Sequence, residues 1–247
     1  MRNQITRFLR FSYRSFPNFL TLLNLVSGSI GTILVFQGRL LDGALLVRVG
    51  ALFDFLDGLV ARGLRLYSPL GKQLDSLADL ITFGFLPTLI MYTLLEQPTS
   101  AHFLPYFALL IVVCSALRLA KFNISTDQKN RFLGLSTTAL GIFISTLPPI
   151  IANNHVPIIT QMLAAPSTLG ALSCIGSMLL VSNIPFMALK FQGYSWRLNR
   201  IRYICLGSAI ISMVVWRVEG IGLSLLVYIV FGNLLQRCIG NQSTVKG

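Results

Sequence analysis

Long apolar runs alternate with short basic connections along almost the whole chain. A membrane-spanning helix needs roughly 20 mostly apolar residues. Eight stretches qualify, at about 17–38, 41–62, 74–96, 102–122, 134–153, 167–188, 200–216 and 219–237. Runs of this length predict helices, because the strands of a membrane barrel are short segments of alternating polarity. The pattern therefore predicts an all-α polytopic bundle of about eight spans, with six as the competing count. Pro148 and Pro149 remove two backbone donors near the end of the fifth span. Pro185 is placed to end the sixth early.

Ahead of the first span, Phe8, Leu9, Phe11, Tyr13 and Phe16 interleave with Arg2, Arg7, Arg10 and Arg14. That mixture predicts an amphipathic helix over residues 1–16, lying at the interface on anionic lipid. No small-residue cleavage site follows an apolar core, so the segment does not read as a secretory signal. The membrane domain is expected over residues 17–239, and residues 240–247 form a short tail.

Composition agrees. Of the 247 residues 54% are hydrophobic and 11% charged, whereas a soluble domain carries about 25% charged residues. Seventeen Phe argue against disorder. Cys114, Cys174, Cys205 and Cys238 lie far apart without metal or redox spacing.

The net charge of +12 reflects topology rather than a nucleic-acid partner. The basic residues sit in alternate connections: the N-terminal segment; Arg62, Arg65 and Lys72; Arg118, Lys121, Lys129 and Arg131; Lys190, Arg197, Arg200 and Arg202; and Arg237 with Lys246 in the tail. Only Arg39 and Arg217 fall on the opposite side, and Arg48 lies within a span. Cytoplasmic loops concentrate Lys and Arg, so both termini are expected in the cytoplasm and the number of spans is even.

Half of the 8 acidic residues fall between positions 54 and 79. Asp54 and Asp57 are three apart, and Asp75 and Asp79 are four apart. Each pair shares one helix face. The first pair lies near the end of the second span and the second near the start of the third. These consecutive helices run antiparallel, so the four carboxylates can converge at the cytoplasmic end. An ionised Asp within a span costs about 2.5–3.5 kcal/mol even on the lenient insertion scale, so the group needs a cationic partner. Hard oxygen ligands select Mg²⁺, Mn²⁺ or Ca²⁺. Four carboxylates suit two such ions clamping a phosphoryl group in displacement. The structural alternative is pairing with Arg62, Arg65 or Lys72. Gly58 either admits a ligand close to the backbone or serves helix packing. Arg62 either forks to a phosphate or marks topology.

Asp54-x2-Asp57-Gly58-x2-Ala61-Arg62-x8-Gly71-x3-Asp75-x3-Asp79 resembles, without gap or exception, the signature of the CDP-alcohol phosphatidyltransferases. These membrane enzymes transfer a phosphatidyl group from a CDP-linked lipid to an alcohol and release CMP. The resemblance implies two divalent cations per site. Asp54 and Asp75 would each touch both, Asp57 would hold one, and Asp79 would hold the other and act as general base. Gly58, Arg62 and Ser68 would line the CDP-diacylglycerol site, with Asn18, Thr21 and Asn24 from the first span. A homodimer is implied by resemblance alone.

The acceptor alcohol is a separate question. Arg118-Leu119-Ala120-Lys121-Phe122-Asn123 is similar to the Arg-Leu-Ala-Arg-Phe-Asn segment of the bacterial phosphatidylserine synthase branch, with Lys121 in place of the second Arg. Ser76 to Asp79, Phe83-Gly84, Pro87, Ser182-Asn183-Ile184-Pro185 and Gly134-Leu135 resemble the same branch, whereas Ser136 and Thr138 stand where it usually has prolines. L-serine is the acceptor this implies, with Arg118, Lys121 and Asn123 as candidate serine or phosphate contacts. The bacterial inner membrane, with the site at its cytoplasmic face, is the location implied. Glycerol 3-phosphate, inositol phosphate and choline remain open as acceptors. A cation-coupled transporter is the alternative of a different class.

Overall fold

The computed structural model describes residues 2–64, 68–96, 102–124, 132–154 and 157–186, without side chains for 2–15, 132, 133, 159, 185 and 186. The two expected spans at 200–216 and 219–237, the tail, and the loop cations Arg65, Lys129, Arg131 and Lys190 lie outside the described residues. The described fold is almost wholly helical. Its helices are α1 (Arg2–Phe36), α2 (Leu40–Gly63), α3 (Pro69–Asp79), α4 (Leu86–Glu96), α5 (Leu109–Ile124), α6 (Thr137–Asn153), α7 (Pro157–Ala164) and α8 (Pro166–Val181). A π-helical turn, Leu80–Phe85, joins α3 to α4, and a 3-10 turn, Leu104–Ala108, leads into α5.

Among the described residues, three helical runs are long and apolar enough to cross a membrane: Phe16–Phe36, Pro69–Glu96 and Leu104–Ile124. The chain is a helical membrane protein. α6 and α8 are apolar but shorter, and α2 stands where a span is expected yet carries Arg48, Asp54, Asp57 and Arg62.

Several boundaries differ from the periodic reading. α1 is one continuous helix through Pro17, so no break separates residues 2–16 from the first span. α8 ends at Val181, before Pro185, in keeping with the reluctance of residues ahead of a proline to stay helical. α7 was not anticipated, because eight residues are too few to show as an apolar period.

α6 passes through Pro148 and Pro149. Pro149 has no N–H to give the carbonyl of Ser145, four residues back. Arg48 fills the gap from α2: its Nη1 donates to Ser145 O at 3.0 Å. Arg48, a charge within the apolar run, thus satisfies a carbonyl that a proline leaves open.

Two segments singled out by resemblance meet in the fold. β1 (Phe132–Leu133) pairs antiparallel with β2 (Pro185–Phe186). Gly134 N donates to Ile184 O at 3.0 Å, and Leu135 N to Leu179 O at 2.9 Å. Gly134 has φ +79, and a Cβ there would press on the carbonyls of Leu180, Ser182 and Leu179. Glycine is required at that point for both reasons. The clasp fixes the start of α6 against the end of α8.

The core lies around α4. Phe83, Leu86, Ile90, Met91 and Leu95 pack with Ile111, Ile144, Leu147 and Leu169. α1 and α2 lie along each other and against the π-helical turn. Their outer faces expose Phe19, Val26, Ile33, Leu45, Leu52 and Phe55, as expected of surfaces that meet lipid.

Candidate metal centre and transfer site

α2 delivers Asp54 and Asp57, and α3 delivers Asp75 and Asp79. Ser68 starts α3: its extended backbone and its Oγ, which accepts from Gly71 N at 2.9 Å, form an N-cap. Pro69 follows in the first turn, where a missing N–H costs nothing. The sequence therefore dictates where α3 begins, and so at which height its carboxylates stand.

One oxygen from each of Asp54, Asp57 and Asp75 lies within 4.8 Å of the other two. Asp57 is buried, and its partners are half-buried. Among the described residues the one ion pair is the exposed Arg39–Asp42 contact. No described cation pairs with the four Asp residues within 4.0 Å. Asp75 Oδ1 is buried without a hydrogen-bond partner. Leaving a buried acceptor unmade is costly. A convergent set of carboxylate oxygens with an open acceptor fits a hard divalent cation.

Asp79 stands one turn beyond Asp75 and is not part of that triplet. Its Oδ1 accepts from Asn24 Nδ2 at 3.2 Å. Thr21 Oγ1 lies 2.6 Å from Asp57 Oδ2 and donates its single proton there. Asn24 and Thr21 are three apart on α1, one turn of the same face. These two residues, expected among the CDP-lipid contacts, each hold a carboxylate. This function was legible only as a polar pair inside an apolar helix.

The remaining expected residues divide. Arg62 is exposed and folds back over Gly58: a Cβ on Gly58 would lie 3.4 Å from its guanidinium nitrogens. Asn18 lies against Gly71, where an added Cβ would be 2.9 Å from Asn18 Oδ1 and from Ser68 Oγ. Asn18, Ser68 and Gly71 therefore form one close contact between α1 and the start of α3.

On α5, Arg118 and Lys121 differ in surroundings. Arg118 is half-buried and Nη1 donates to Thr137 Oγ1 at 3.0 Å, whereas Lys121 is exposed. Arg118 Nε is buried without a partner. Asn123 Nδ2 donates to Ser76 Oγ at 2.9 Å and to Gln73 Oε1 at 3.3 Å. Lys72 Nζ donates to Asn123 O at 3.1 Å and lies 5.6 Å from the Phe122 ring centre. The end of α5 is thus fastened across α3, one residue from Asp75. Lys72 and Thr137 were not singled out as site residues, and their roles depend on contacts between helices distant in sequence.

Comparison with known proteins accords with this geometry. The sequence model of the CDP-alcohol phosphatidyltransferase family matches residues 14–191, and the chain belongs to that family. It is 29% identical over 178 residues to the CDP-diacylglycerol–serine O-phosphatidyltransferase of Bacillus subtilis, an alignment covering 70% of this chain and 90% of the relative. It is 28% identical over 223 residues to the enzyme of that name from Helicobacter pylori J99, covering 88% and 89%. An archaetidylserine synthase from Methanothermobacter thermautotrophicus is 35% identical over 137 residues, covering 55% of this chain and 58% of the relative.

Proposed function

We propose that the chain transfers the phosphatidyl group of CDP-diacylglycerol to the hydroxyl of L-serine, giving phosphatidylserine and CMP. The observation that carries this reading is the convergence of Asp54, Asp57 and Asp75 beside an Asp79 held by its own partner. Relatives that carry serine transferase names over about nine-tenths of their length favour serine among the acceptors. A cation-coupled transporter is not favoured, since its carboxylates would be spread along a path near mid-membrane.

Charge stabilisation on the diphosphate oxygens is the chemistry that bound Mg²⁺ or Mn²⁺ supplies, with Ca²⁺ a further candidate. Asp54 and Asp75 are proposed to contact both ions, Asp57 one and Asp79 the other. Thr21 orients Asp57 for that task. Gly58 leaves room for the nucleotide diphosphate beside α2, and Arg62, lying over it, forks to phosphate. Asp79 accepts the serine hydroxyl proton, and the serine oxygen attacks the β-phosphorus as CMP leaves. Arg118 is proposed to meet the serine carboxylate, its free Nε being the donor; Lys121, exposed, serves phosphate or the membrane surface.

The basic connections favour a cytoplasmic site with both termini on that side, and the branch resembled favours the bacterial inner membrane. The segment over residues 1–16 would rest on anionic lipid. The decisive experiment measures CMP release from CDP-diacylglycerol by purified protein with and without serine. Release that depends on serine, stops with chelator and returns with Mg²⁺ or Mn²⁺ is the expected result. Serine-independent release, or full activity in chelator after bound metal is excluded by elemental analysis, defeats the reading.

A further inference from the structure

The proposed base is embedded in a contact set that the reaction itself does not explain. Thr82 lies in the π-helical turn, three residues after Asp79, and is fully buried. Its Oγ1 donates to Asn24 O at 3.0 Å, and Asn24 Nδ2 in turn donates to Asp79 Oδ1. The path from Thr82 to Asp79 thus leaves the π-helical turn, crosses to Asn24 of α1 and returns to the end of α3.

Three glycines from three helices close around the turn. An added Cβ on Gly28 of α1 or Gly50 of α2 would collide with Thr82, and one on Gly141 of α6 would lie 3.0 Å from the Phe83 backbone. A Cβ on Gly50 would also lie 2.9 Å from Asn24 Oδ1. That oxygen is buried and unpartnered, so Gly50 keeps an unsatisfied amide seated where a side chain would displace it. A single π turn inside an α-helix shifts the register of the residues around it and often sits at a functional site. Here it brings Thr82 beneath Asn24 while Asp79 faces the same residue.

We infer that Thr82 is a positioning residue for phosphatidyl transfer: seated between Gly28 and Gly50, it holds Asn24 so that the Asn24 amide fixes the Asp79 carboxylate. The bond from Asn24 to Oδ1 fixes the orientation of the carboxylate that is to take the acceptor's proton. The inference rests on the proposed role of Asp79 as base. Thr82 touches neither substrate nor carboxylate.

The test compares Thr82→Val, which keeps the shape and removes the hydroxyl, with Thr82→Ser, which keeps the hydroxyl. Transfer is measured with both substrates varied, and Mn²⁺ binding is followed separately by electron paramagnetic resonance. Thr82→Val should lower kcat about tenfold or more, since small misplacements of a reacting group reach about 10²-fold. Both KM values and the affinity for the Mn²⁺ held by Asp54, Asp57 and Asp75 should stay within about twofold, because those three residues are untouched; any weakening falls on the ion that Asp79 shares, and Thr82→Ser should restore kcat. Unchanged kcat in Thr82→Val, equal impairment in Thr82→Ser, or a parallel loss of the Mn²⁺ held by Asp54, Asp57 and Asp75 would overturn the inference. If the Val variant does not purify, Thr82→Ala against Thr82→Ser makes the same comparison. Failure of the underlying reading is separable: wild-type protein without serine-dependent transfer, or Asp79→Asn with normal turnover, removes the base itself.

Discussion

Asp75 and Asp79 differ in environment despite sharing a face of α3. Asp75 joins Asp54 and Asp57, while Asp79 is held by Asn24. Their Asn variants should therefore fail differently. Asp79→Asn keeps the size and removes the base, so kcat should fall about 10²–10⁴-fold while CDP-diacylglycerol binding survives in part. Asp75→Asn should weaken Mn²⁺ binding and CDP-diacylglycerol binding together. Single-turnover transfer alongside an Mn²⁺ titration separates the two, and identical profiles would refute the division of labour. Arg48 makes a contrasting case. Arg48→Leu leaves Ser145 O without its donor, at a cost of about 1–3 kcal/mol. Thermal unfolding in detergent should register that loss while kcat per folded molecule holds.

At the scale of the element, the beginning of α3 decides the height of two carboxylates. Ser68 caps that helix and is exposed, yet resemblance places it in the CDP-lipid site. The two roles make opposite predictions for one substitution. Ser68→Asp keeps a cap acceptor but puts a negative charge where a diphosphate would lie. Near-normal activity in Ser68→Asp, with Ser68→Ala less stable by about 0.5–2 kcal/mol, would assign Ser68 to capping. Normal stability with a sharply raised CDP-diacylglycerol KM would assign it to the substrate. The β1–β2 clasp is a second element of this kind. Its Gly134 fixes the register of α6, which supplies Thr137 to Arg118.

For the whole molecule, the expected topology puts the α2–α3 connection and the end of α6 on opposite sides of the bilayer. Single cysteines at Leu70, which is exposed, and at Asn153, in a background lacking the native cysteines, should be labelled from opposite faces of sealed vesicles. Labelling of both from one face would break the span assignment and with it the cytoplasmic site. All four Asp residues lie in the halves of α2 and of the Pro69–Glu96 run that adjoin the connection between them.

Much of this was legible in the chain. Run length identified the helices, because a spanning segment must satisfy its backbone internally whatever surrounds it. The spacing of Asp54 with Asp57 placed each on one face of α2, and a short connection brought α3 back beside it, so their meeting with Asp75 followed from local geometry. Contacts between distant helices were not legible. Nothing in the spacing of Thr21, Asn24 and Thr82 says that they reach Asp57, Asp79 and Asn24 O, because crossing angle and rotation are set by packing at Gly28 and Gly50. The π turn is hidden for a related reason, since one shifted residue leaves the apolar pattern intact. Arg48 read as an anomaly until α6 brought Pro149 and its open carbonyl alongside. Sequence determined which residues lie on a common face of one helix; only the tertiary structure decided which face of another helix they meet, because that choice depends on the shapes of both surfaces at once.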